Sequence, residues 1–197
     1  MLKRLLSGKI SVSLKNEGFI GRGLSWNREV EDVIQVIEFQ RDRYSSVGVI
    51  SFTINIGVFR REVWSIAWGV PEPSFVKEEH CFPRIRVGEI MHDAPGLPKD
   101  IWWRIHKDVQ DFENLENIRE AIINKCIPKL NQLSDIDYIF DYYVERQRFI
   151  LPADKIYLAI LLQKCGRSDE ANSLFGKISA VSEEWKSRVL QVQKNLG

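Results

Sequence analysis

Apolar and polar residues alternate every second position through much of the first half of the chain, and at helical spacing through the second half. VIQVIEFQ at 33–40 and the run at 49–59, which contains FTINIGVF, read as β-strands, because successive side chains in a strand leave opposite faces and both runs are rich in β-branched and aromatic residues. RIRVGEI at 84–90 reads as a further strand, and 19–26 as another, with Gly21 and Gly23 inside it and a turn at Asn27 and Arg28. Before them, Leu2, Leu5, Leu6, Ile10 and Leu14 recur at helical spacing up to Asn16 and Gly18. Short connections and the lack of helices between the strands predict an antiparallel sheet.

From about residue 101 the pattern turns helical. Phe112, Leu115, Ile118 and Ile122 form one stripe, expected to end near Pro128, which lacks the amide a helix interior needs. Ser134 and Asp137 resemble a capping box for a helix burying Ile136, Phe140 and Tyr143 or Val144. Pro152 suits the first turn of a helix that Gly166 breaks, and Ala171, Leu174, Phe175 and Ile178 line its partner. Ser182 caps a last helix carrying Trp185, Val189, Val192 and Leu196. The expected class is α+β: an N-terminal helix and an antiparallel four-stranded sheet at 1–131, then a helical extension at 132–197 packed on it.

Period two also sorts the polar residues of the strands. Glu38 and Gln40 share a face with Ile34 and Val36. Gln35 falls on the opposite, core-directed face with Val33, Ile37 and Phe39, where burial demands a hydrogen-bond partner. Thr53 and Asn55 lie opposite Phe52, Ile54 and Ile56, and Arg84 and Arg86 opposite Ile85 and Val87. If the faces coincide, Glu38, Gln40, Thr53, Asn55, Arg84 and Arg86 meet. Such a set is either a solvated sheet face with Glu38 paired to an arginine, or a binding surface whose arginines grip a carboxylate or phosphate. It contains no nucleophile and no second carboxylate for acid–base work. The adjacent Trp102 and Trp103 cannot both enter one core, so one is expected inside and the other at the sheet edge or a partner surface. Trp64 and Trp68 share a face if VWSIAW is helical, and are then expected in the core.

Composition removes several classes. Hydrophobic residues make up 44% and charged residues 28%, as in a folded globular chain, and the net charge of +1 lacks the basic excess of a nucleic-acid binder. Cys81, Cys126 and Cys165 are odd in number and widely spaced, which predicts thiols in a reducing cytoplasm rather than a disulfide framework or zinc site. His80, Cys81, His92, Asp93 and His106 match no dyad or metal spacing. Gly21 and Gly23 lack the third glycine and following helix of a nucleotide fingerprint, so no cofactor is expected. No apolar run reaches the roughly 18 residues of a membrane span, and Ser7, Gly8, Lys9 and Ser11 interrupt the N-terminal one. A cytoplasmic location follows as an expectation.

VIQVIEFQ, FTINIGVF, CFPRIRVG at 81–88 and the Trp102–Trp103 pair together resemble an uncharacterised bacterial domain-of-unknown-function family over about 2–131, with Pro83 a local departure. The resemblance implies a shared fold and carries no catalytic residues with it. YLAILLQKCGRSDEANSLFGKI at 157–178 is similar to one tetratricopeptide-type helical pair, and a single such unit needs neighbours to bury both faces. The expected function is a non-catalytic binding or protein-interaction module, regulatory or toxin-neutralising, with Glu38, Gln40, Thr53, Asn55, Arg84, Arg86, Trp102 and Trp103 as its surface. A protein partner is expected, with a small anionic ligand as the lesser alternative. The alternative activity is an enzyme whose anionic substrate Arg84 and Arg86 hold beside Glu38 as base.

Overall fold

A computed structural model describes residues 8–43, 48–91, 100–106, 112–144 and 151–197. By internal packing the chain divides into two compact units, Met1–Phe59 with Phe75–Ser134, and Arg60–Ser74 with Asp135–Gly197.

The first unit is α+β. Helix α1 (Lys9–Asn16) buries Ile10 and Leu14; the leucines expected before it lie outside the described residues. The sheet runs β1 (Ile20–Arg22), β2 (Ser25–Val30), β3 (Val33–Arg41), β4 (Val49–Arg60) and β5 (Arg84–Arg86), with β6 (Trp103–His106) also paired to β4. The expected four strands thus become six. Gly23, at φ 73°, lets the run at 19–26 fold back as the β1–β2 hairpin instead of one strand. The run expected as a strand over 84–90 leaves the sheet after Arg86 and continues as the short helix α3 (Val87–Met91). β6 stands where helical character was expected to begin; its pairing of Phe52 with Trp103 and Ile50 with Ile105 overrides local propensity.

β4 is buried along almost its whole length. On one face Ile50, Phe52, Ile54, Ile56 and Val58 are each no more than 1% exposed. Fully burying each of these contributes roughly 1.5–3 kcal/mol of gross stabilisation. On that side of the sheet α5 (Ile127–Ser134) packs against β3, and a π-helical turn at Ile122–Cys126 joins it to the preceding α4 (Phe112–Ala121). The helical path therefore does not end near Pro128. The wide turn just before the proline loosens the backbone where its ring would otherwise crowd the preceding carbonyls.

The second unit is helical: α2 (Arg61–Trp68), α6 (Ile136–Val144), α7 (Pro152–Lys164), α8 (Ser168–Ser179) and α9 (Glu183–Leu196). Asp135, not Ser134, caps α6, its Oδ1 accepting the amides of Asp137 and Tyr138 at 2.8 and 3.2 Å. Helix α6 buries Ile139, Phe140 and Tyr143, whereas Val144 is exposed. Pro152 opens α7, and Gly166, left-handed at φ 77°, turns the chain into α8. Ala159 and Ala171 are both completely buried where α7 and α8 pack together. Ser182 caps α9 by accepting the Trp185 amide at 3.3 Å. Among the described residues no helix is long and apolar enough to cross a membrane.

Candidate functional site

The β4–β5 register places Asn55 opposite Arg86 and Gly57 opposite Arg84. The Asn55 amide nitrogen donates to Gln40 Oε1 at 2.8 Å, so the same face of β3 presents Gln40 and Glu38. The six polar residues singled out in the strands therefore share one face. The face is covered in part: Thr53 is 0% and Asn55 6% exposed, Glu38, Arg84 and Arg86 are half-buried, and Gln40 is exposed. Part of the cover comes from the segment before β5. Asn27 exchanges two hydrogen bonds with the Val76 backbone, at 2.8 and 3.1 Å. The Glu78 amide donates to Glu38 Oε2 at 3.0 Å. Gly57 completes the seal, since a Cβ there would sit 2.5 Å from the Cys81 Cβ and 3.2 Å from the Pro83 carbonyl oxygen.

Glu38 pairs with this amide rather than with an arginine, and it brings a second carboxylate into the cluster. Glu78, on the 3₁₀ turn Glu78–His80, was missed in the sequence because it lies in no periodic run. Burial raises its pKa, with Arg84 opposing and Glu38 reinforcing the rise; Arg84 Nη1 is 3.9 Å from its carboxylate. Burial likewise raises the Cys81 thiol well above its ordinary value, assisted by Glu78 and Glu38. Cys81 therefore stays protonated, its Sγ donating to the Lys77 carbonyl at 3.4 Å. His80 Nδ1 accepts the Lys77 amide, and burial lowers its pKa.

Arg86 is the hub of the polar floor. Its Nε donates to Asn55 Oδ1 at 3.3 Å, its Nη1 to both Asp100 oxygens at 3.0 and 2.8 Å, and its Nη2 to Gln40 Oε1 at 3.4 Å. Trp102 flanks it, with the guanidinium carbon 6.0 Å from the ring centre. Trp103 turns to the other face and stacks on Phe52 at 6.0 Å. Both tryptophans are half-buried, so neither is the fully interior one expected. The Arg84 and Arg86 side chains keep 32% and 34% exposure. Thr53 Oγ1, by contrast, is buried with no hydrogen-bond partner among the described residues. An unpaired buried hydroxyl costs about 1–3 kcal/mol.

Gln35, on the opposite face and 0% exposed, is saturated. Its Oε1 accepts Arg28 Nε and Nη2 at 3.0 and 2.6 Å, and its Nε2 donates to Asn131 Oδ1 and Ser134 Oγ at 3.2 and 2.9 Å. Arg28 lies over Phe19 at 4.7 Å, and burial lowers its pKa against the pull of Glu17. This is an internal brace.

In the second unit, Trp64 and Trp68 do share a helix face, rings 6.0 Å apart, but are half-buried rather than core. Trp68 donates to the Tyr157 hydroxyl and carries Arg188 over its ring at 4.9 Å. Away from these tryptophans, α6, α7 and α8 frame a cleft of about 260 Å³ lined by Phe140, Leu158, Leu162, Arg167 and Leu174, among others. His92 and Asp93 lie outside the described residues, and among those described no three His, Cys, Asp or Glu side chains converge as a metal set.

The sequence model of the family described as a domain of unknown function, DUF4304, matches residues 10–132, more than half of the chain and nearly all of the sheet-bearing unit. No curated protein matches the chain, and no solved structure does. The chain belongs to the DUF4304 family.

Proposed function

We propose that this member of the DUF4304 family is a non-catalytic binding module, a cytoplasmic bacterial protein whose polar sheet face engages a protein partner in a regulatory or toxin-neutralising role. One observation carries the reading: two half-exposed arginines, Arg84 and Arg86, share a sheet face with the buried Asn55 and the exposed Gln40, whose amides are hydrogen-bonded, and Trp102 flanks Arg86. Arginine and tryptophan beside a rigid polar floor are the residue types that anchor interfaces. Holding Cys81 as a thiol supports binding over nucleophilic chemistry.

A second reading has its own support. Glu78, its pKa raised by burial beside Glu38, supplies the partner carboxylate that acid–base catalysis on an anionic substrate held by Arg84 and Arg86 requires. Capture from the native cell, read by mass spectrometry, separates the two. A partner retained by the wild type and lost by the Arg84→Ala, Arg86→Ala double variant supports the binding surface. A partner that survives the double change overturns it. Turnover of a small anionic compound that disappears with Glu78→Gln supports the enzyme.

A further inference from the structure

We infer that Arg86 is the receptor for a carboxylate group, and that Asp100 holds this position in the free protein. The inference deepens the binding-surface reading above and rests on it. Asp100 meets Arg86 through a single nitrogen: both carboxylate oxygens lie on Nη1, at 3.0 and 2.8 Å. Among the described residues Nη2 has only the Gln40 contact at 3.4 Å, at the outer limit of a hydrogen bond. The guanidinium thus keeps its strongest arrangement, two parallel bonds from two nitrogens to one carboxylate, in reserve. Asp100 itself is exposed, with its side chain 48% accessible.

Two further features mark the same place. Thr53, two residues from Asn55 on the same strand face, keeps a buried hydroxyl with no partner among the described residues. Thr53 and Ile54 also fall between the registers of the two strands on that edge, since β6 pairs Val49 to Phe52 and β5 pairs Asn55 to Gly57. The polar floor therefore lies against a break between two short strands, with Trp102 at its rim.

Charge decides the class of ligand. Glu38, Glu78 and Asp100 face Arg84 and Arg86, an excess of one negative charge when all are ionised. A free anion added to that set would be repelled. A carboxylate that replaces Asp100 on Arg86 leaves the sum at the guanidinium unchanged, so exchange is the permitted route. The carboxylate belongs to a small free acid or to an acidic side chain of a partner protein, and the two are told apart by titration.

The test follows the Asn55 amide and Arg86 Nε signals of the full chain by NMR during addition of sodium acetate, of a short glutamate-rich peptide, and of sodium chloride at matched ionic strength. If Asp100 occupies Arg86 in about nine molecules of ten, Asp100→Asn tightens carboxylate binding about tenfold, because the competent fraction rises by that factor. Saturation by acetate alone indicates a free acid, and at least tenfold tighter binding of the peptide indicates a protein side chain. Arg86→Lys, which keeps the charge and loses the fork, abolishes saturation, and the spectra show whether each variant is folded. The inference is overturned if neither carboxylate moves these signals beyond chloride in Asp100→Asn, or if binding to that variant survives Arg86→Lys unchanged. Loss of a captured protein in the double-arginine variant without any carboxylate response sinks this inference and leaves the binding-module reading standing. Acetate binding, with capture indifferent to both arginines, does the reverse.

Discussion

Two buried amides in neighbouring strands, Gln35 on β3 and Asn55 on β4, show how differently one sheet can hold polar groups. Gln35 is enclosed, and every hydrogen-bonding position of its side chain is met by Arg28, Asn131 and Ser134. Asn55 is also buried, but its partners lead outward to Arg86, a half-exposed cation, and Asp100, an exposed anion. Gln35 has no capacity left. The second cluster has a long Nη2 contact, and on its face a Thr53 hydroxyl with no partner among the described residues. Remaining capacity, rather than polarity or burial, separates a brace from a candidate site.

The largest effect is expected from Gln35→Leu, which removes four hydrogen bonds shared with Arg28, Asn131 and Ser134 and should cost about 3 kcal/mol, read as a lower urea midpoint with unchanged slope. A loss under about 1 kcal/mol would show that the brace is not saturated in solution and would erase the contrast. Gly57→Ala comes next, at about 2 kcal/mol, because the added Cβ meets Cys81 and the Pro83 backbone, and the lid segment must lift. Arg86→Ala should cost only about 1 kcal/mol, since its pair with Asp100 is largely screened by solvent.

Glu78 offers a reading through pH. Its folded pKa lies above the unfolded value, so the native state retains a proton that the unfolded chain has released. Stability should therefore decline as pH rises through the window just above the ordinary carboxylate value, and Glu78→Gln should flatten that decline in urea melts across the window. An unchanged slope would place Glu78 in water instead. The smallest effect belongs to Thr53→Val. Removing a hydroxyl that has no partner among the described residues should leave stability unchanged or raise it by up to about 1 kcal/mol, and a marked loss would mean that the group is already satisfied.

Much of this contrast was legible in period two. Alternation alone put Glu38 and Gln40 on one face of β3 and Gln35 on the other, and assigned Thr53 and Asn55 to one face of β4 and Arg84 and Arg86 to one face of β5. The helix signals of the second unit worked for a similar reason: Pro152, Gly166 and Ser182 act on their own turn of backbone. Strongly local rules failed where distant chain intervened. β6 is a strand because β4 offered it an edge, and Pro128 sits in a continuing helical path because the π turn before it absorbs the strain.

The sequence by itself determined which residues share a face, because the side-chain period of a strand is a property of its own backbone. It also determined the α+β class, through the change from period two to helical spacing. Tertiary structure alone decided that Thr53 and Asn55 are covered while Gln40 stays exposed, that Glu78 joins Glu38, and that Asp100 reaches Arg86. Those are contacts between segments separated by 40 and 14 positions along the chain. No local pattern encodes such meetings, since they are fixed by the register of strands and by what packs above them.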